Sequence, residues 1–236
     1  MLFLITGARG GIGLQYVREL SDDKSNTVVA VVRSLGGDIT ALQNIKDSNA
    51  GRVHVLECDI SAGNSVTKLA DDFSKIFGSA RIDVLINNAA ILGSRGENSL
   101  AVSSDSLSLH INTNVLGSAS VVQALLPYLA SQAIIANITS GSGSLAMLSE
   151  GRIKAENTSY CISKAALNML TIHQAKHLQE KVVVCIDPGH VKTEMGGPGA
   201  VLEVADSAKG VLGVIAKLKP EDSGKFLLYN GTELPW

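Results

Sequence analysis

Cysteine is scarce in this 236-residue chain: Cys58, Cys161 and Cys185 are odd in number and widely spaced. No pair has metal-ligand spacing, and a disulfide framework is not expected, so they read as reduced thiols of a cytoplasmic protein. An excess of one charge is also lacking. Lys and Arg number 20 against 22 Asp and Glu, for a net charge of -2. No basic run stands out, which gives no reason to expect nucleic acid or an anionic membrane surface as a partner. Long apolar runs are missing too, since Val28–Val32 and Val182–Ile186 are far too short to span a bilayer. The first apolar stretch begins at residue 2, so no signal peptide is expected. There is no internal repeat, linker or low-complexity segment. What remains, 45% hydrophobic and 18% charged, suits one sizeable domain over residues 1–236 with a substantial core.

The stretch that organises the chain is Thr6–Gly13, T-G-A-R-G-G-I-G. It follows the apolar strand-like residues 2–5 and precedes residues 14–20, where apolar positions recur at helical spacing. Strand, glycine turn and helix together form a phosphate-binding context. Gly7 permits the tight turn, Gly11 lets a pyrophosphate approach the backbone, and Gly13 lets the helix pack closely on the strand. The helix N-terminus then offers free N–H groups and the positive end of its dipole.

Strands and helices alternate along the rest of the chain. Strands are predicted at 27–32, 52–57, 82–87, 133–138, 181–186 and 225–229. Helices are predicted at 38–46, 63–77, 107–129, 158–179 and 206–218. This rhythm, with near-continuous apolar strands, implies an α/β fold: one doubly wound Rossmann-type domain with a mostly parallel seven-stranded sheet.

In such a sheet ligands bind at the carboxyl ends of the strands, so the residues just after each strand carry the information. Arg33 follows the second strand, twenty positions beyond Gly13. A carboxylate there would suit the ribose 2′-OH of NAD, whereas an arginine suits the 2′-phosphate of NADP. Arg9, in the glycine loop, approaches the same position from the opposite side. Asp59, before Ile60, is placed to accept from an adenine amino group. Judged singly, Arg33 and Asp59 read equally well as solvated loop charges. Asn87-Asn88-Ala89-Ala90 is a small polar turn, and Thr139-Ser140 closes the fifth strand. Tyr160 and Lys164 share a helix face four residues apart.

In this order the motifs resemble the short-chain dehydrogenase/reductase family, and within it the carbonyl reductases that include sniffer and the C-factor-like proteins. They are the glycine motif, Asp59, Asn87-Asn88-Ala89, Asn114, Ser140, Tyr160-x-x-x-Lys164 and Pro188-Gly189-x-Val191-x-Thr193. The resemblance implies a catalytic set of Asn114, Ser140, Tyr160 and Lys164. It implies a cofactor cradle of Gly7, Arg9, Gly11, Ile12, Gly13, Arg33, Asp59, Ile60, Asn88, Ala89, Lys164, Pro188, Gly189, Val191 and Thr193, with no metal. The implied reaction is hydride transfer between NADP (NAD being the weaker reading) and a small-molecule aldehyde or ketone. Tyr160 would be the proton donor, its pKa lowered from about 10 by Lys164. Ser140 would polarise the carbonyl, Asn114 would anchor a water relaying protons to Lys164, and Thr193 would fix the nicotinamide carboxamide. Two departures stand out: Ala90 replaces the usual glycine, tolerable at negative φ only, and the Ser140–Tyr160 interval is long.

Residues 145–153 account for much of that interval and read as one wall of the substrate pocket. His173 and His177 lack a third ligand and read as a surface pair. His190 reads equally as a pocket residue or as a plain loop histidine. Oligomeric state stays open between homodimer and monomer. An NAD-dependent alcohol dehydrogenase and a nucleotide-binding signalling protein of the same fold are the competing functions.

Overall fold

The computed structural model describes residues 1–93 and 95–236. Seven strands form one all-parallel sheet: β1 (Leu2–Thr6), β2 (Thr27–Val32), β3 (Val53–Glu57), β4 (Ile82–Asn87), β5 (Leu129–Ile138), β6 (Val182–Asp187) and β7 (Phe226–Leu228). Their order is β3-β2-β1-β4-β5-β6-β7, so the winding reverses between β1 and β4. That reversal opens a crevice at the carboxyl ends, where the Gly7 and Asn88 turns emerge side by side.

Helices cover both faces. On one, α1 (Gly11–Asp22), α2 (Thr40–Ser48) and α8 (Val204–Ile215) bury Tyr16, Val17, Leu20, Leu42 and Val211 against the sheet. On the other, α3 (Gly63–Phe77) and α5 (Ser118–Leu125) bury Val66, Leu69, Phe73, Val121 and Leu125. Each such side chain, removed from water, stabilises the fold by about 1.5–3 kcal/mol. The long α7 (Thr158–His177) completes this second layer through Ala175 and carries the Tyr160–Lys164 pair. Among the described residues no helix is long and apolar enough to cross a membrane.

The predicted helix over 107–129 differs most from the structure. It begins earlier as α4 (Ser104–His110), passes through a π-helical segment at Ile111–Gly117, and continues as α5. A 3₁₀ turn containing Pro127 ends it, and β5 starts at Leu129 rather than at 133. Ser103 caps α4 by accepting from Ser106 N at 3.1 Å. The π segment is held from outside by Ile91, whose two main-chain groups pair with the Asn114 amide. Pro127 lacks the N–H that would extend the helix.

Candidate active site

The glycine loop is anchored before any ligand arrives. Thr6 Oγ1 accepts from the main-chain N–H groups of Asn88 and Ala89, both at 3.0 Å. Asn88 Nδ2 donates back to Thr6 O at 3.0 Å and Gly7 O at 3.3 Å. A methyl group on Gly13 would sit 2.3 Å from Gly7 O and 2.7 Å from Asn88 Nδ2, so helix and strand meet this closely only through glycine. Gly7 and Gly11 have φ of 71° and 54°. No side chain caps the N-terminus of α1, which leaves its first N–H groups aimed at the crevice. Thr193 leans over the same turn, its methyl 3.4 Å from where a Cβ on Gly11 would be. Ala90 has no positive φ, as its replacement of glycine requires.

At the β2 and β3 ends stand Arg9, Arg33 and Asp59. Both arginines are exposed, and neither forms an ion pair among the described residues. Hydrogen bonds from Ser61 hold the Asp59 carboxyl below its usual range, and the nearby Arg33 charge adds to this. Arg9 reaches toward Gly37 and Asp38. Ile60 faces inward: its side chain is buried against Gly117 of the π segment, so only its main chain is available to a ligand.

Ser140, Tyr160 and Lys164 converge at the β5 end. Ser140 Oγ accepts from Ser142 N at 3.1 Å and lies beside the Tyr160 phenol, whose pKa it acts to lower. Lys164 is 2% exposed, donates from Nζ to Ile138 O at 2.9 Å, and lies 5.6 Å from the Tyr160 ring centroid. Burial lowers the Lys164 ammonium from 10.5 to about 8, with Cys185 and Asp187 acting in the opposite direction. The expected lowering of the Tyr160 pKa is not what this arrangement produces. Burial, then the Asp187 carboxylate, push the phenol up, and only Ser140 opposes them. The physical reason is that Nζ turns to the Ile138 carbonyl, leaving the phenol next to a serine and an acid.

Asn114 is 1% exposed, and its amide is fully engaged: Oδ1 accepts from Ile91 N at 2.8 Å, and Nδ2 donates to Ile91 O at 3.0 Å and Ser163 Oγ at 2.9 Å. Beyond β6, Pro188 O accepts from Ser207 at 2.7 Å, Gly189 has a φ of 82°, and Val191 bridges to Leu202. Thr193 Oγ1 closes its own turn by accepting from Gly196 N at 3.0 Å. His190 contacts Gly196 O at 2.9 Å and is exposed. Residues 145–149 form a short helix, α6, capped by Ser144. Met147 and Ile153 both reach the space around Gly141, beside Ser140.

Sequence reasoning passed over two groups in this rim. Asp187 ends β6, and its carboxylate accepts from Gly141 N and Gly189 N, each at 2.8 Å. The signal was an acid closing a buried apolar strand, immediately before Pro-Gly. His110 packs its ring edge toward Tyr160 at 6.4 Å and accepts from Gly93 N at 2.9 Å, and no sequence pattern marks it.

The sequence profile described as short chain dehydrogenase matches residues 2–199. The chain belongs to the short-chain dehydrogenase/reductase family. It is an oxidoreductase of that family, with the single-domain Rossmann-type fold. The C-signal of Myxococcus xanthus is 41% identical over 162 residues, covering 66% of this chain and 93% of its own. Among solved structures, the NADPH-bound carbonyl reductase from chicken fatty liver superposes with a TM-score of 0.90 at 31% identity, over 99% of this chain and 98% of that one. The carbonyl reductase Sniffer of D. melanogaster gives 0.91 at 30% identity, over the same shares.

Proposed function

We propose that the protein is an NADPH-dependent reductase of small to medium aldehydes and ketones. The observation that carries the reading is the buried Lys164, its Nζ 5.6 Å from the Tyr160 ring centroid, with Ser140 beside the phenol on the same rim as the glycine loop. The cradle fits a dinucleotide phosphate. The uncapped α1 N-terminus suits the pyrophosphate, and the exposed Arg9 and Arg33, without an ion pair among the described residues, suit a 2′-phosphate. Asp59 has an oxygen to spare for an adenine amino group, because Ser61 occupies only Oδ1. Ile12, Asn88, Ala89 and the main chain of Ile60 would line the cofactor's path. Lys164 would hold the nicotinamide ribose, and Pro188, Gly189, Val191 and Thr193 would hold its carboxamide. Two relatives of the fold support the choice of cofactor and reaction, one of them a carbonyl reductase with NADPH bound.

Bound there, NADPH supplies the hydride. The chain's own residues do the rest. Ser140 donates to the substrate carbonyl oxygen and stabilises the charge that develops on it. Tyr160 transfers its proton to that oxygen, and its raised pKa keeps the phenol protonated across the physiological range. Lys164, titrating near 8, stands on the same helix face, its Nζ 5.6 Å from the Tyr160 ring centroid. Asn114 braces Ile91 and Ser163, which fixes the helix carrying Tyr160. Met147 and Ile153 give the pocket an apolar wall, favouring apolar carbonyls. The three free thiols suit a reducing compartment, and we place the protein in the cytoplasm.

A signalling role with little turnover is the second reading, favoured by the name of the 41% identical relative, C-signal. A pure binder has no use for a buried Lys164 beside a phenol, and the cost of burying that ammonium supports turnover. Following NADPH oxidation against a panel of aldehydes and ketones decides between them. Consumption of NADPH with stoichiometric alcohol supports the reductase, and tight NADPH binding without turnover on any carbonyl supports the binder.

A further inference from the structure

Asp187 touches two turns at once. Gly141 directly follows Ser140, and Gly189 opens the loop that leads to Thr193. Their N–H groups donate to Oδ2 and Oδ1 of the same carboxylate, both at 2.8 Å. The approach is tight, since a Cβ on Gly141 would lie 3.0 Å from Oδ2. Asp187 has no ion pair among the described residues. Its neighbours of consequence are Lys164 and Tyr160 from α7, Cys185 on its own strand and the exposed His190 in the next loop. We propose that Asp187 is a positioning residue, clipping the Ser140 turn to the Pro188–Gly189 turn so that the Ser140 hydroxyl stays beside Tyr160.

The chemistry of the side chain explains why an acid stands here. Two N–H donors need two acceptors, and an ionised carboxylate presents a strong acceptor on each oxygen. An asparagine of the same shape would turn its NH₂ toward one of the two N–H groups and lose that bond. A protonated carboxyl keeps only a weaker acceptor on its hydroxyl oxygen, so that bond weakens. Burial raises the Asp187 pKa, against the Gly189 and Gly141 hydrogen bonds, so the clip loosens on acidification at a higher pH than an exposed carboxylate would need. Reduction therefore falls on the acid side as Asp187 takes up its proton.

The inference rests on Ser140 and Tyr160 acting as proposed above, and a double-mutant cycle separates the two ideas. The variants are Asp187→Asn, Ser140→Ala and their combination, assayed for NADPH-dependent reduction of an aldehyde between about pH 5 and 9. Asp187→Asn is expected to lower kcat by about 10- to 100-fold, with the Kd for NADPH within about twofold. In the Ser140→Ala background its further effect should be under about twofold, because the hydroxyl it positions is gone. The acid limb should vanish in Asp187→Asn and persist in His190→Gln. Gly141→Ala keeps the charge but crowds Oδ2, and it should show the same coupling to Ser140 should the asparagine variant fold poorly. An equal fold-loss from either clip variant in both backgrounds, or an acid limb that survives Asp187→Asn, would overturn the inference. A Ser140→Ala enzyme as fast as wild type would instead remove the reading on which it rests.

Discussion

Replacing Arg33 by Asp should reverse the cofactor preference. Arg33 follows β2, exposed and free of any ion pair among the described residues, with the exposed Arg9 reaching into the adjoining loop. A charge-assisted contact to phosphate is worth about 1.5–3 kcal/mol, or a factor of about ten to about 150 per arginine. Exposure to salt water pulls the gain toward the lower figure. Wild type should therefore bind NADPH at least about tenfold more tightly than NADH at physiological salt. In Arg33→Asp a carboxylate repels the 2′-phosphate and can accept from a ribose 2′-OH, so NADH should bind the more tightly. Titrating nucleotide fluorescence against each protein gives the four dissociation constants at each of two salt concentrations. Equal binding of NADH and NADPH by wild type would refute the reasoning, since both arginines would then be ordinary surface charges.

Two further outcomes follow from the site. Lys164 is a buried base whose pKa falls from 10.5 to about 8 on folding, so the folded chain binds fewer protons than the unfolded one between those values. Its burden on stability is full below about pH 8 and lifts toward 10.5, by about 3 kcal/mol in all. Urea unfolding should accordingly show wild type gaining on Lys164→Met as pH rises from 7 to 10, and a constant difference would contradict the assignment. Replacing Met147 and Leu148 by alanine should change KM among apolar carbonyls while the Kd for NADPH stays fixed, and identical kinetics across a panel would return α6 to a purely structural role.

Much of the fold was legible because buried parallel strands are near-continuous apolar runs. Residues 27–32, 82–87 and 63–77 were placed at their observed bounds. The elements that escaped depend on distant partners. The π segment follows from Asn114 reaching Ile91, 23 positions away, which no local periodicity records. The first half of β5 includes exposed Ser131 and Gln132 and pairs with β4 only through Ile82 and Leu129, so it lacks a strand's apolar pattern. The motif order placed Ser140, Tyr160 and Lys164 on one rim. It did not say that the Lys164 ammonium would turn to Ile138, or that burial would raise the phenol pKa, because both depend on what surrounds α7. Asp187 escapes through a boundary: the apolar run ends at Ile186, one residue short of the end of β6.

The proposed reaction turns on a single hydroxyl. Tyr160→Phe removes the proton donor and very little volume, leaving Ser140, Lys164 and the glycine loop in place. A general acid contributes roughly 10²–10⁴ in rate. Stopped-flow reduction of the best aldehyde by Tyr160→Phe with saturating NADPH should be slower than wild type by at least about a hundredfold, with the Kd for NADPH unchanged within about twofold. A phenylalanine enzyme that keeps more than about a tenth of the wild-type rate would contradict the central claim.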